Sequence, residues 1–132
     1  MTRHDAREQA FIIIFEKSLN GLSVDEIIEN AKDAREFREN GFILTTVNGV
    51  FENIGEIDKT IENHLTGWKI ERISKVCLAV LRLSVYEIMF SEDVPASVSI
   101  NEAVELCKKF ATAEESSYVN GILGNVARGG RE

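Results

Sequence analysis

Apolar residues recur at every third or fourth position along almost the whole chain, and polar residues fill the positions between them. The chain contains one proline, Pro95, and long stretches pass without a cluster of turn residues. Because a three- to four-residue spacing places apolar side chains on one face of a helix, and because proline and turn residues interrupt helices, the pattern predicts an all-α fold.

Residues that can cap a helix mark the predicted helix starts. A Ser, Thr or Asp side chain accepts a hydrogen bond from a backbone N–H of the first turn, and an acid three residues later completes a reciprocal cap. The sequence offers Thr2 with Asp5, Ser23 with Glu26, Asp33 with Glu36, Ser99 with Glu102, and Thr112 with Glu115.

These signals predict about six helices. The first runs from about residue 3 to Leu19, the second starts after Ser23, and the third runs from Asp33 to about Leu65 with a bend at Gly49 or Gly55. The fourth starts at Ser74, the fifth follows Pro95, and the sixth follows a bend at Phe110 to Thr112. The helix from Ser74 is the most apolar and is expected to be central. Arg82 and Glu87 interrupt it, so it is not predicted to span a membrane.

Composition narrows the possible functions. The 132 residues are predicted to form a single domain, 1–132, and 44% hydrophobic and 28% charged residues are typical of a globular protein. Lys and Arg number 15 against 22 Asp and Glu, a net charge of -7. Because this charge repels phosphate, it disfavours a generic nucleic-acid binder that acts without help.

No residue pattern indicates catalysis, a metal site or a cofactor. His4 and His64 lie far apart, and Cys77 and Cys107 lack the spacing of a metal or redox motif. The two cysteines are predicted to be buried thiols in a reducing cytoplasm, and the polar first residues predict no signal peptide. The function class that remains is a non-enzymatic helical domain that recognises another molecule.

Specific motifs lie between Val80 and Leu123. They are Leu81-Arg82-Leu83, Tyr86-Glu87, Asp93-Val94-Pro95, Ile100-Asn101-Glu102-Ala103-Val104-Glu105-Leu106 and Val119-Asn120-Gly121-Ile122-Leu123. In these motifs, and over nearly the whole chain from Ala6-Arg7-Glu8 onward, the sequence resembles the NusB family of transcription antitermination factors. The resemblance implies a compact bundle of about six or seven helices in two packed subdomains, with no catalytic activity.

The same resemblance implies the partners. NusE, a small-subunit ribosomal protein, pairs with such proteins, the pair binds boxA RNA of ribosomal RNA operons, and the complex helps RNA polymerase read through terminators. A basic partner then supplies phosphate attraction that this acidic chain lacks. A homodimer stays open, and no membrane partner is implied. Two alternatives are an RNA-recruiting module that serves a ribosomal RNA cytosine methyltransferase and an RNA-independent protein-interaction bundle.

Position by position, the resemblance implies a set of RNA-binding residues. They are Arg3, His4, Arg7, Phe15, Phe110, Glu114 and Tyr118. Aromatic rings stack on unpaired bases, and a carboxylate accepts hydrogen bonds from exocyclic amino groups. Because Asp5 and Glu8 offset the arginines, we expect weak RNA affinity from this chain alone. Alternatively, Phe15 and Tyr118 belong to the core, and Arg3 and Arg7 lie on a solvated first turn.

Partner contacts are implied at Glu71, Cys77 and Arg82. The family usually has a Glu at the third position of the central helix, where this chain has Cys77. Because a cysteine cannot reach back to the Ser74 amide, half of the capping box and a polar contact toward the partner are lost, at about 1 kcal/mol or less for the cap. Arg82, Tyr86 and Glu87 match the family motif as well, but a solvent-exposed stripe with a helical neighbour pair explains them equally well.

Overall fold

The computed structural model describes residues 1–34, 40–65 and 69–129. Within these ranges the chain forms seven α-helices, a short 3-10 turn at Ile70–Arg72, and no strand. The helices are α1 (Arg3–Asn20), α2 (Val24–Ala34), α3 (Gly41–Glu52), α4 (Ile54–Asn63), α5 (Lys75–Phe90), α6 (Ala96–Phe110) and α7 (Ala113–Gly129). The predicted all-α fold is confirmed.

Four of the predicted helix starts carry the expected caps. Before α1, the Thr2 hydroxyl accepts the Asp5 N–H at 3.0 Å and the Asp5 carboxylate accepts the Thr2 N–H at 3.4 Å. Gly21 ends this helix with a φ of 69°, a left-handed conformation that favours glycine. Ser23 accepts the Glu26 N–H at 3.1 Å, Ser74 the Cys77 N–H at 3.1 Å, and Thr112 the Glu115 N–H at 3.0 Å.

The predicted long helix from Asp33 to Leu65 is wrong. Asp33 lies inside α2, and its predicted capping partner Glu36 lies outside the described residues. The remainder is two helices that meet at Asn53, whose side-chain amide donates to the Gly49 carbonyl at 2.8 Å. Such a side-chain bond competes with the helical ladder, so the helix ends between the two glycines at which a bend was predicted.

The predicted helix start at Ser99 is also wrong. Helix α6 begins at Ala96, directly after Pro95, whose φ of -58° already suits a helix start. Ser99 is buried within the first turns, and its hydroxyl has no hydrogen-bond partner among the described residues. The proline therefore sets this boundary, and the Ser99–Glu102 spacing is coincidental.

Helix α5 lies at the centre, as predicted. It packs against α1, α3, α4, α6 and α7, and most of its residues are buried. Each large apolar side chain buried in this way contributes about 1.5–3 kcal/mol. Gly49 allows α3 to approach α5 closely, because a Cβ at this position would overlap the ring and hydroxyl of Tyr86.

Two groups of helices surround α5. In the first group α1 packs against α2 and α3, and in the second α7 packs against α4 and α6. Buried apolar residues of both groups form one continuous cluster through α5. Among the described helices, none is long and apolar enough to cross a membrane.

Candidate nucleic-acid interface

Three aromatic rings form a row, here called the aromatic row, from α1 to the end of α6. Phe11 and Phe15, one helical turn apart on α1, have ring centroids 6.3 Å apart, and the Phe110 centroid lies 5.1 Å from that of Phe11. Phe11 is buried, Phe15 is half-buried, and Phe110 is 38% exposed. The row thus leads from the core to the surface, and Phe110 offers a ring on which an unpaired base can stack. Phe15 both packs against the core and reaches solvent.

Arg3 extends from the first turn of α1 toward α3. Its guanidinium carbon lies 4.1 Å from the centroid of the Phe42 ring, within the range of a cation–π contact. Arg3 is exposed, and in the described ranges its guanidinium makes no ion pair. The side chain therefore keeps its positive charge available at the surface.

His4 and Glu8 connect α1 to α6. The His4 Nδ1 atom lies 2.7 Å from a Glu102 carboxylate oxygen, and Lys109 Nζ donates to Glu8 at 2.7 Å. The hydrogen bond to Glu102 and the charge of that carboxylate raise the pKa of His4. Cations thus lie on both helices beside the aromatic row, but these two are paired with carboxylates.

Arg7 does not share the surface with Arg3 and His4. It is 4% exposed, and its guanidinium donates three hydrogen bonds of 3.0–3.1 Å to Glu87, which is 2% exposed. The interpretation of Arg7 as part of a solvated first turn is wrong, and so is the interpretation of Glu87 as part of a solvent-exposed stripe. This buried pair fixes the start of α1 to α5.

Glu114 and Tyr118 of α7 line a groove between α5 and α7 with a volume of about 430 Å³. Its other lining residues are Arg72, Ile73, Ser74, Cys77, Thr112 and Glu115. The Tyr118 hydroxyl is buried without a hydrogen-bond partner in the described structure, and burial raises the pKa of Tyr118. Glu114 is exposed at the groove. The groove therefore brings two predicted RNA-binding residues next to Cys77, which was predicted to contact the partner.

The three predicted partner-binding residues do not form one cluster. Cys77 is buried, and this burial raises the pKa of its thiol to about 12. Arg82 lies five positions later on α5, about 140° around the helix, and donates two 2.9 Å hydrogen bonds to Asp58 of α4. Glu71 is exposed on the 3-10 turn that precedes α5.

Sequence reasoning missed several residues that shape this surface. Glu87 carried a signal, because a charged residue within the most apolar helix requires a buried partner. Lys109 could also have been singled out from the sequence, because it is a cation directly before the predicted RNA-binding residue Phe110. In the structure its Nζ lies 5.3 Å from the Phe110 ring. Phe42 carried no signal that distinguishes it from a core residue. In the ranges that the structure describes, no cluster of His, Cys, Asp or Glu could hold a metal ion.

Comparisons with known proteins extend over nearly the whole chain. Residues 4–128 match the model of the NusB family. The transcription antitermination protein NusB of Clostridium novyi (strain NT) is 42% identical over an alignment of 132 positions that covers 97% of this chain and 99% of that protein.

Solved structures agree with this match. The fold is similar to that of T. maritima NusB, with a TM-score of 0.90, 29% identity, and coverage of 100% of this chain and 94% of that one. It is also similar to a structure of antitermination factors NusB and NusE in complex with dsRNA, with a TM-score of 0.85, 27% identity, and coverage of 97% and 98%. The similarity thus includes both groups of helices.

Proposed function

Because the chain belongs to the NusB family, we propose that it is an RNA-binding adaptor in bacterial transcription antitermination that pairs with NusE to bind boxA RNA of ribosomal RNA operons. The observation that carries this proposal is the near full-length similarity to a NusB that is bound to NusE and RNA. In the assembled antitermination complex, the RNA-bound pair acts on RNA polymerase. This role requires no chemical step, so we propose no enzymatic activity and no cofactor. We place the protein in the cytoplasm, where bacterial transcription occurs.

The RNA face is proposed to be the surface at the start of α1 and the end of α6. Phe110 stacks on a base, and the half-buried edge of Phe15 extends the same apolar surface. Arg3 and His4 contact phosphates at one side of this surface. Arg7 is proposed to hold α1 in place through Glu87, since its guanidinium is already occupied by three hydrogen bonds.

The groove between α5 and α7 is proposed to receive a nucleotide edge or the adjoining partner surface. Glu114 is exposed there and can accept a hydrogen bond from an exocyclic amino group. Tyr118 lines the same groove, and its buried hydroxyl has no partner among the described residues, so an acceptor that reaches it would satisfy it.

The NusE contact is proposed to lie around the start of α5. Glu71 is exposed there and is available to a basic partner, whereas Cys77 contributes an uncharged thiol at the groove floor. Arg82 acts chiefly by joining α5 to α4 through Asp58. With a net charge of -7, the chain depends on the partner for much of its attraction to RNA.

Fluorescence anisotropy of a labelled boxA RNA tests the proposal. The RNA is titrated with the protein alone and with NusE added, at two salt concentrations, and a scrambled RNA serves as control. Selective binding that NusE strengthens is the expected result. Equal binding of boxA and scrambled RNA in both states would refute the RNA role and favour an RNA-independent interaction bundle.

A matched pair of variants locates the RNA face. Phe110→Ala removes a ring that is 38% exposed, and Phe90→Ala removes one that is 39% exposed and stacks on Tyr86 instead of on a ring of the aromatic row. Because base stacking contributes about 1–3 kcal/mol, Phe110→Ala is expected to weaken boxA binding about fivefold or more. Phe90→Ala is expected to leave it unchanged, and equal losses in both variants would contradict the proposed face.

A further inference from the structure

Phe42, near the start of α3, lies against the first turns of α1. The guanidinium carbons of Arg3 and Arg7 lie 4.1 and 5.7 Å from its ring centroid. Both distances fall within the roughly 6 Å that cation–π contacts allow. A second contact lies beside it, because the Asn40 side-chain amide donates to Met1 Sδ at 3.2 Å. The start of α3 therefore supports the first residues of the chain at two points.

Arg3 differs from the other cationic side chains at this end of the molecule. In the part of the chain that the structure describes, the others pair with carboxylates: His4 with Glu102, Arg7 with Glu87, Lys108 with Glu105, and Lys109 with Glu8. Arg3 contacts an aromatic face instead. A ring does not neutralise the charge, and it leaves the planar edge of the guanidinium, with its N–H donors, open to a phosphate.

The Phe42 ring is itself held in place. Phe42 is half-buried and packs against the apolar cluster, and the neighbouring Arg7 is fixed by its hydrogen bonds to Glu87 of α5. An exposed arginine loses conformational entropy when it binds an anion, and a side chain that is already ordered loses less. The ring thus offers Arg3 an ordered position before RNA arrives.

We propose that Phe42 is a positioning residue for RNA binding, whose ring holds Arg3 in place for contact with an RNA phosphate. This inference rests on the proposed function, because it assumes that the first turn of α1 faces RNA. Phe42 itself contacts Arg3 and need not touch the RNA. Its effect on affinity should therefore depend on the presence of Arg3.

The test compares Phe42→Leu with Phe51→Leu in boxA titrations with NusE present. Phe51 also belongs to α3 and is half-buried, and its ring lies 5.2 Å from Lys17 Nζ. Phe42→Leu removes the ring contacts with Arg3 and Arg7, and Phe51→Leu removes the ring contact with Lys17. Both variants keep an apolar side chain, but of the two rings only Phe42 contacts Arg3. Phe42→Leu is expected to weaken RNA binding about two- to fivefold, and Phe51→Leu to leave it unchanged.

A double-mutant cycle separates positioning from a structural effect. Arg3→Ala is expected to reduce the slope of log affinity against log salt by about 0.7, the value for one phosphate contact with a single strand. In the Arg3→Ala background, Phe42→Leu should cause no further loss of affinity. Phe42→Trp retains an aromatic face and should restore binding, and urea unfolding of each variant reports whether the fold is intact.

The outcomes separate this inference from the proposed function. A wild-type protein that prefers boxA, together with equal affinities of the Phe42→Leu and Phe51→Leu variants, would overturn only the role of Phe42. Additive losses in the Arg3→Ala, Phe42→Leu double variant would overturn it as well, since the ring would then act independently of Arg3. Wild-type protein without any preference for boxA would overturn the proposed function and this inference together.

Discussion

Replacing Arg7 by methionine is predicted to destabilise the protein severely. Arg7 is 4% exposed, and its guanidinium makes three hydrogen bonds to Glu87, which is 2% exposed. Without Arg7 the Glu87 carboxylate would remain buried with no compensating charge. Removing one partner of such a buried pair costs about 3–5 kcal/mol, a large part of the 5–15 kcal/mol that typically stabilises a protein.

The double variant Arg7→Met, Glu87→Leu should recover most of this loss. Replacing both charges by apolar side chains of similar size removes the cost of keeping charged groups away from water, and it is often neutral or stabilising by about 1–4 kcal/mol. Arg82→Met is the matched control, because Arg82 also donates two hydrogen bonds to one carboxylate, Asp58, from α5. The Arg82 and Asp58 side chains are 15% and 26% exposed, so we expect Arg82→Met to lower the free energy of unfolding by only about 1 kcal/mol.

Urea unfolding followed by circular dichroism measures these differences. The free energy of unfolding comes from linear extrapolation, and an unchanged slope shows that each variant unfolds from a comparable folded state. A loss below about 1 kcal/mol for Arg7→Met would refute the reasoning about a buried charge. So would a double variant that is no more stable than Arg7→Met.

Two further predictions concern titratable groups. Glu102 raises the pKa of His4 above its ordinary value of 6.5, so the pair contributes to stability in full below that value and the contribution disappears as the pH rises through the raised pKa. The difference in Tm between wild type and His4→Gln should therefore shrink as the pH rises through the raised pKa of His4. A difference in Tm that does not change with pH would contradict this prediction. Burial raises the pKa of Cys77 to about 12 and of Cys107 to about 11, so both should resist maleimide at neutral pH until the protein unfolds. Rapid labelling of the native protein would contradict the buried placement.

The helix caps could be predicted from the sequence because their hydrogen bonds are local. Thr2 and Ser74 each accept an N–H three residues later, and sequence spacing alone defines that geometry. The break at Asn53 could not be predicted in the same way. Apolar residues keep a helical spacing on both sides of it, from Phe51 to Ile54 and Ile57, so the periodicity continues where the helix does not.

The residues of the candidate interface remain a prediction from the sequence, and the contacts that pair them could not be predicted from it. Arg3 and Arg7 lie one turn apart on α1 and look equivalent in the sequence, yet one is exposed on Phe42 and the other is buried against Glu87. Arg7 and Glu87 are separated by 80 positions. A contact of this kind depends on how α1, α3 and α5 pack, so it cannot be predicted from residue type and spacing along the chain.

The pairing of cations predicts that tight RNA binding by this chain depends on a basic partner. A phosphate that approaches Lys109 or His4 competes with Glu8 or Glu102, each of which already lies 2.7 Å from its cation. Of Arg3, His4 and Lys109, Arg3 is the one without such a competitor among the described residues. The chain alone should therefore neutralise about one phosphate and show a salt slope near 0.7, and NusE should steepen it. A slope for the chain alone as steep as that of the pair would show that phosphate displaces these carboxylates readily, and it would remove the electrostatic reason for a basic partner.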